Sequence, residues 1–141
     1  MEGLTILGNK VEGWITADKL ESFPAPNVGK VKFVTHEVTS FCPVTNQPDL
    51  YTVEIEYTPF ELCVESKSLK LYLGSFRNEG IFGEGLAAKI ADDFFEMIKP
   101  CWVEVTTIQQ IRGGLRMTAG SERHSEERQD KKLEMVSKVS K

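Results

Sequence analysis

Between residues 50 and 58 the chain alternates without a break. Tyr51, Val53, Ile55 and Tyr57 fall on one face of an extended segment, and Thr52, Glu54, Glu56 and Thr58 on the other. A period of two with one apolar side marks a strand with a single wet face. Such a strand needs sheet neighbours, and helices over its apolar side. The flanking sequence supplies both. Residues 30–38, rich in Val, Phe and Thr, predict a strand before it, and residues 101–108 and 115–118 predict two after it. In between, Leu69, Leu73 and Phe76 recur at helical spacing over residues 65–77, widened by Leu71 and Tyr72. Gly80 closes that helix and Gly83-Glu84-Gly85 opens a second. Leu86, Ile90, Phe94, Met97 and Ile98 stripe the second helix, and Pro100 stops it. The order strand, strand, helix, helix, strand, strand gives an α+β layer: an antiparallel four-stranded sheet with two helices on one face. Its open edges invite closure by further subunits.

At 141 residues there is room for one core and none for a separate cofactor-binding domain. The expected organisation is a single domain over residues 1–120, led by an irregular arm to residue 30 whose Gly, Pro and Asn punctuation permits at most one helical turn. Residues 40–49 read as a loop. From Ser121 charge of both signs dominates, with only Leu133, Met135, Val136 and Val139 apolar. Residues 121–141 therefore predict a disordered or frayed helical tail. A net charge of −4 argues against broad phosphate neutralisation, hence against direct nucleic-acid binding. No apolar run approaches membrane-spanning length, and Met-Glu-Gly-Leu-Thr lacks a signal peptide's regions, so the expectation is a cytoplasmic protein without membrane contact. Three cysteines, an odd number without CxxC spacing, suit reduced thiols. With His36 and His124 the only histidines, no metal is expected.

Two segments stand out chemically. Cys42 follows a strand and precedes Pro43 in a polar loop, whereas structural cysteines prefer apolar surroundings. By position alone a nucleophile and an inert thiol are equally good readings. Asp49, seven residues on, is either a turn aspartate or the proton partner of that thiol. The run Glu65-Ser66-Lys67-Ser68-Leu69-Lys70 sets a carboxylate, hydroxyls and two cations at a helix start, where free N–H groups favour a phosphate-bearing cofactor. Glu65 and Ser66 also suit simple capping. Lys67 and Lys70 share a helical face. Arg112-Gly113-Gly114 is a hairpin entry, or a guanidinium and N–H groups for a pyrophosphate. Cys63 and Cys101, among apolar neighbours, read as core.

The string ESKSLKLY resembles the signature of the QueF family, NADPH-dependent 7-cyano-7-deazaguanine (nitrile) reductases. Leu7-Gly8-Asn9, Leu20-Glu21-Ser22-Phe23-Pro24, TSFCPVTNQPD, SFRNEG and IRGG carry the resemblance over all but about the last twenty residues. It implies the tunnelling fold, with subunits joined into a barrel and active sites at their boundaries. It implies an oxidoreductase of queuosine biosynthesis, a tRNA modification, that reduces 7-cyano-7-deazaguanine to its 7-aminomethyl form. Cys42 would form a covalent thioimide with the nitrile, and Asp49 would act as general acid with a raised pKa. Glu84 would anchor the ring's adjacent N–H and amine, although an acid in a first helical turn is ordinary in itself. Glu65, Ser66 and Phe82 would contact the deazapurine. Lys67, Lys70, Arg112, Gly113 and Gly114 would hold NADPH. One departure matters: the family usually has histidine before the anchoring glutamate, where this chain has Gly83. Two other readings stand beside the reductase, an amidine-forming enzyme acting on a nitrile base in tRNA and a non-catalytic purine- or pterin-binding relative.

Overall fold

The structure is a computed structural model that describes residues 13–139, with side chains to residue 137. Leu7-Gly8-Asn9 lies outside the described residues. Four antiparallel strands form the main sheet: β2 (Val31–Phe41), β3 (Pro48–Thr58), β5 (Trp102–Gln109) and β6 (Thr118–His124), in the order β2-β3-β5-β6. β1 (Ser22–Pro24) pairs with β4 (Leu62–Val64) as a separate two-stranded ribbon. Helices α1 (Ser66–Gly74) and α2 (Gly83–Ile98) lie between β4 and β5 in sequence, and α3 (Glu126–Val139) follows β6.

The alternating residues of β3 do what their period demands. Tyr51, Val53, Ile55 and Tyr57 are buried against Leu86, Ile90 and Phe94 of α2 and Leu69 and Leu73 of α1 in one core cluster. Each such side chain contributes roughly 1.5–3 kcal/mol on burial. Tyr57 meets Phe94 edge-on at 4.7 Å. α2 ends at Lys99, which takes a left-handed φ of 51° before Pro100.

One irregularity positions the chemistry. The register of β2 against β3 shifts between Thr35 and Val38. Before this bulge Phe33 and Thr35 are the less exposed positions of β2; after it Val38 and Ser40 are buried, and so is Cys42 beyond the strand. A one-residue bulge moves all later side chains to the opposite face. Here it turns Cys42 inward.

Four expectations are corrected. The loop of residues 40–49 is shorter, because β2 runs to Phe41 and β3 begins at Pro48. The last strand is not residues 115–118 but Thr118–His124. Its pairing with β5 is carried by backbone hydrogen bonds that an edge strand makes without an apolar face. The tail, expected to be disordered or a frayed helix, completes β6 and then forms the helix α3. It is held by side chain to carbonyl bonds rather than by apolar burial. Arg128 Nε donates to Pro100 O at 2.8 Å, and Lys132 Nζ to Val28 O at 2.9 Å and to Pro59 O. In the arm, residues 13–30 contain the short turn Ala17–Lys19 and, beyond the single turn expected, strand β1.

Candidate active site

The loop between β2 and β3 is closed on itself. Cys42 N donates to Gln47 O at 2.8 Å, and Asn46 N, at a left-handed φ of 61°, donates to Cys42 O at 2.8 Å. The Thr45 hydroxyl, then the N–H groups of Thr45 and Val44, favour the thiolate and hold the Cys42 thiol below its ordinary value; burial and the Asp49 carboxylate act the other way. By contrast, burial pushes the Cys101 thiol up.

Asp49 sits opposite Ser40 in the register and is buried on the same face as Tyr51. Its Oδ1 accepts from Gln109 Nε2 at 3.1 Å and pairs with Arg112 Nη1 at 2.8 Å. Arg112 comes from the β5–β6 hairpin. Gly113 and Gly114 have φ of 61° and 77°, and Arg112 and Leu115 exchange backbone hydrogen bonds across them at 3.2 Å. Two positive φ values in a two-residue turn explain the Gly-Gly pair.

The start of α2 is tied to the same place. Phe41 N donates to Glu79 O at 3.0 Å, Ile81 N donates to Phe41 O at 3.1 Å, and Ser40 Oγ donates to Ile81 O at 3.2 Å. Thr107 Oγ1 donates to Gly83 O at 2.8 Å. Phe82, half exposed, occupies the N-cap without a side-chain cap, and Glu84 is exposed in the first turn. Tyr51, two residues from Asp49 on the buried face of β3, reaches the Gly83 position beside Glu84, and its phenol feels both carboxylates and Arg112. Cys42, Asp49, Glu84, Phe82 and Arg112 thus gather at one end of the sheet.

The signature at α1 lies elsewhere. Glu65 caps the helix, its carboxylate accepting from Lys67 N at 2.7 Å and Ser68 N at 2.8 Å. The expectation of free N–H groups at this helix start is therefore corrected: an internal carboxylate already occupies two of them. Ser66 and Lys70 line a groove of about 530 Å³ with Trp14, Phe33, Val38 and Arg77. Neither Cys42, Asp49 nor Glu84 lines it. Arg77 stacks 4.1 Å from the Trp14 ring centroid. Lys67 is half-buried. The exposed Lys70 and Arg77 thus stand beside the Trp14 ring, and the helix N-terminus has two of its N–H groups already taken by Glu65. His36 faces the wet side of the sheet, its Nδ1 2.9 Å from Thr52 Oγ1, away from Cys42.

Sequence reasoning missed Thr45, Gln109 and Tyr51. Thr45 and Gln109 act through position in the fold and carry no sequence signal. Tyr51 was legible as core only.

Residues 48–128 match the family described as QueF-like protein. The NADPH-dependent 7-cyano-7-deazaguanine reductase of Anaeromyxobacter sp. (strain K) is 44% identical over 110 residues, covering 76% of this chain and 89% of that protein. The chain belongs to the QueF-like family. The reductase of the same name from Bacillus subtilis (strain 168) is 46% identical over 121 residues, 82% of this chain and 73% of that protein. The fold is also that of a solved structure, the archaeosine synthase QueF-Like in the apo form. That likeness has a TM-score of 0.66 at 23% identity and covers 71% of this chain and 98% of the other. At that identity it speaks to the fold alone, an α+β arrangement that fits the tunnelling fold.

Proposed function

We propose that this chain is an NADPH-dependent 7-cyano-7-deazaguanine reductase, reducing the nitrile to the 7-aminomethyl base that serves queuosine synthesis. The reading is carried by one observation. A thiol with a depressed pKa, Cys42, stands in the loop that leads into a buried carboxylate, Asp49, at the sheet end where α2 presents Glu84. Relatives at 44–46% identity bear the reductase name. The amidine-forming reading has only the distant fold likeness in its favour.

Glu84 accepts from the ring N–H and the exocyclic amine, with Phe82 beside the ring. As the Cys42 sulfur adds to the nitrile carbon, the thiol proton passes to the Asp49 carboxylate and from there to the nitrogen, giving a thioimide. Asp49 is buried and held by Gln109 and Arg112, so its carboxyl is fixed in place for that transfer. NADPH, when bound, supplies the hydride for each of the two reductions. Between them Cys42 leaves as thiolate, and the site shelters the imine from water. Lys67 and Lys70, with Arg112, Gly113 and Gly114 of the hairpin, hold the dinucleotide; Ser66 borders the base, and the buried Glu65 serves it by fixing the helix start.

The α1 residues lie in one region of the chain, and Cys42, Asp49, Glu84 and the Arg112 hairpin in another. Sheet edges at β2 and β6 leave room for further copies. We therefore read the active site as shared, the α1 groove of one subunit facing the Cys42 loop of another in a barrel-shaped homo-oligomer. Buried free cysteines fit the reducing cytoplasm.

The test is NADPH oxidation followed by absorbance with 7-cyano-7-deazaguanine present. Consumption of two equivalents per nitrile that disappears in Cys42→Ala is expected. A covalent adduct on Cys42 without NADPH consumption would favour the amidine-forming enzyme or a binding protein.

A further inference from the structure

We propose that Tyr51 is a substrate-contacting residue of this site, its hydroxyl donating a hydrogen bond to the ring carbonyl oxygen of the bound deazaguanine. This rests on the reductase reading and adds to it a recognition contact in the place where the family's histidine is missing.

The Tyr51 hydroxyl is the one buried side-chain polar atom among the described residues without a hydrogen-bond partner. Tyr51 is 2% exposed. A phenol that served only to fill the core would be replaced by phenylalanine at no loss, since an unpaired buried hydroxyl is a cost. Its neighbour Ser40 instead donates its own hydroxyl to Ile81 O.

Position supplies the reason. The phenol lies within the fields of Asp49, Glu84 and Arg112. It lies two residues from Asp49 on the buried face of β3, and its hydroxyl is 3.4 Å from where a Cβ of Gly83, the residue before Glu84, would stand. In 7-cyano-7-deazaguanine the carbonyl oxygen adjoins the ring N–H that Glu84 accepts and is peri to the nitrile-bearing carbon. Burial, with both carboxylates assisting and Ser40 opposing, pushes the Tyr51 phenol up, so it remains a donor at neutral pH.

Gly83 is the complement of this arrangement. A Cβ built there would lie 2.9 Å from Tyr51 Cε1, 3.4 Å from its hydroxyl and 2.1 Å from Met117 Cε. The tyrosine ring and Met117 thus fill the space that a side chain before Glu84 would need.

Tyr51→Phe tests this, because it removes one oxygen and keeps the ring. In an enzyme that turns over, KM for 7-cyano-7-deazaguanine is expected to rise about tenfold, the worth of a neutral hydrogen bond whose acceptor is left buried. KM for NADPH and the melting temperature are expected to stay near parental values, since the Ser40 hydroxyl beside the phenol keeps its own bond to Ile81 O. An unchanged KM for the base overturns the proposal while leaving the reductase reading intact. A marked fall in melting temperature also overturns it, by showing a structural hydroxyl. Parent protein that neither oxidises NADPH nor forms an adduct with the base overturns both.

Discussion

The helix that carries Lys67 and Lys70 is coupled to the helix whose first turn holds Glu84 by a buried pair, and Tyr72→Phe measures that coupling. Tyr72 Oη donates to Asp93 Oδ2 at 2.5 Å, and Lys89 Nζ reaches Asp93 Oδ1 at 2.9 Å. Both Tyr72 and Asp93 are buried, whereas Lys89 is half exposed. Removing the hydroxyl leaves one carboxylate oxygen without its donor, and a hydrogen bond to a charged group is worth about 1.5–3 kcal/mol. Lys89 still neutralises the carboxylate, which places the loss near the lower end, about 1.5–2 kcal/mol. For a chain of this size that corresponds to a fall in melting temperature of roughly 4–8 °C. The ring itself stays packed edge-on to Phe76 at 5.3 Å, so no cavity adds to the effect. Thermal unfolding by circular dichroism reads it, with Lys89→Ala, a half-exposed partner, as the milder comparison. A Tyr72→Phe melting temperature equal to the parent's would refute the reasoning that this pair joins α1 to α2.

Four further outcomes follow from the geometry. Thr45→Val removes the leading contribution that lowers the Cys42 pKa, so the pH profile of iodoacetamide alkylation at Cys42 should move to higher pH; an unmoved profile refutes that role for the hydroxyl. Lys70→Ala should raise KM for NADPH several-fold while leaving adduct formation at Cys42 intact, and loss of the adduct instead would assign Lys70 to the nitrile site. All three tyrosines, Tyr51, Tyr57 and Tyr72, are buried with raised pKa values. Their neutral forms stabilise the fold fully below about pH 10, and this is lost as pH rises further. An absorbance titration should therefore show them ionising together with unfolding, and a single tyrosine ionising in native protein contradicts this. Lys132→Ala should raise hydrogen exchange across α3 with little change in the sheet, because its contacts to Val28 O and Pro59 O pin the helix.

Much of this was legible in the sequence, for identifiable reasons. The period of two in β3 and the apolar stripes of α1 and α2 are direct images of burial, so the main layer could be drawn before any coordinates. Cys42, Asp49 and Glu84 were legible as candidates because their residue types sat in unusual or motif-bearing places. What stayed hidden depended on long-range geometry. The bulge between Thr35 and Val38 leaves no composition signal, yet it decides which way Cys42 points. The tail read as unable to order itself because its stabilising contacts run from Arg128 and Lys132 to backbone carbonyls rather than through apolar area. Arg112 read as a hairpin or cofactor cation; its pairing with Asp49 emerges only when the hairpin folds back over β3.

The central claim is that the Cys42 sulfur bonds to the nitrile carbon of 7-cyano-7-deazaguanine. Intact-mass spectrometry of the full chain after incubation with that base, without NADPH, tests it most directly. A gain of one base per chain, mapped by peptide analysis to Cys42 and absent in Cys42→Ala, is expected. An unchanged mass, or a gain mapped to Cys63 or Cys101, contradicts it.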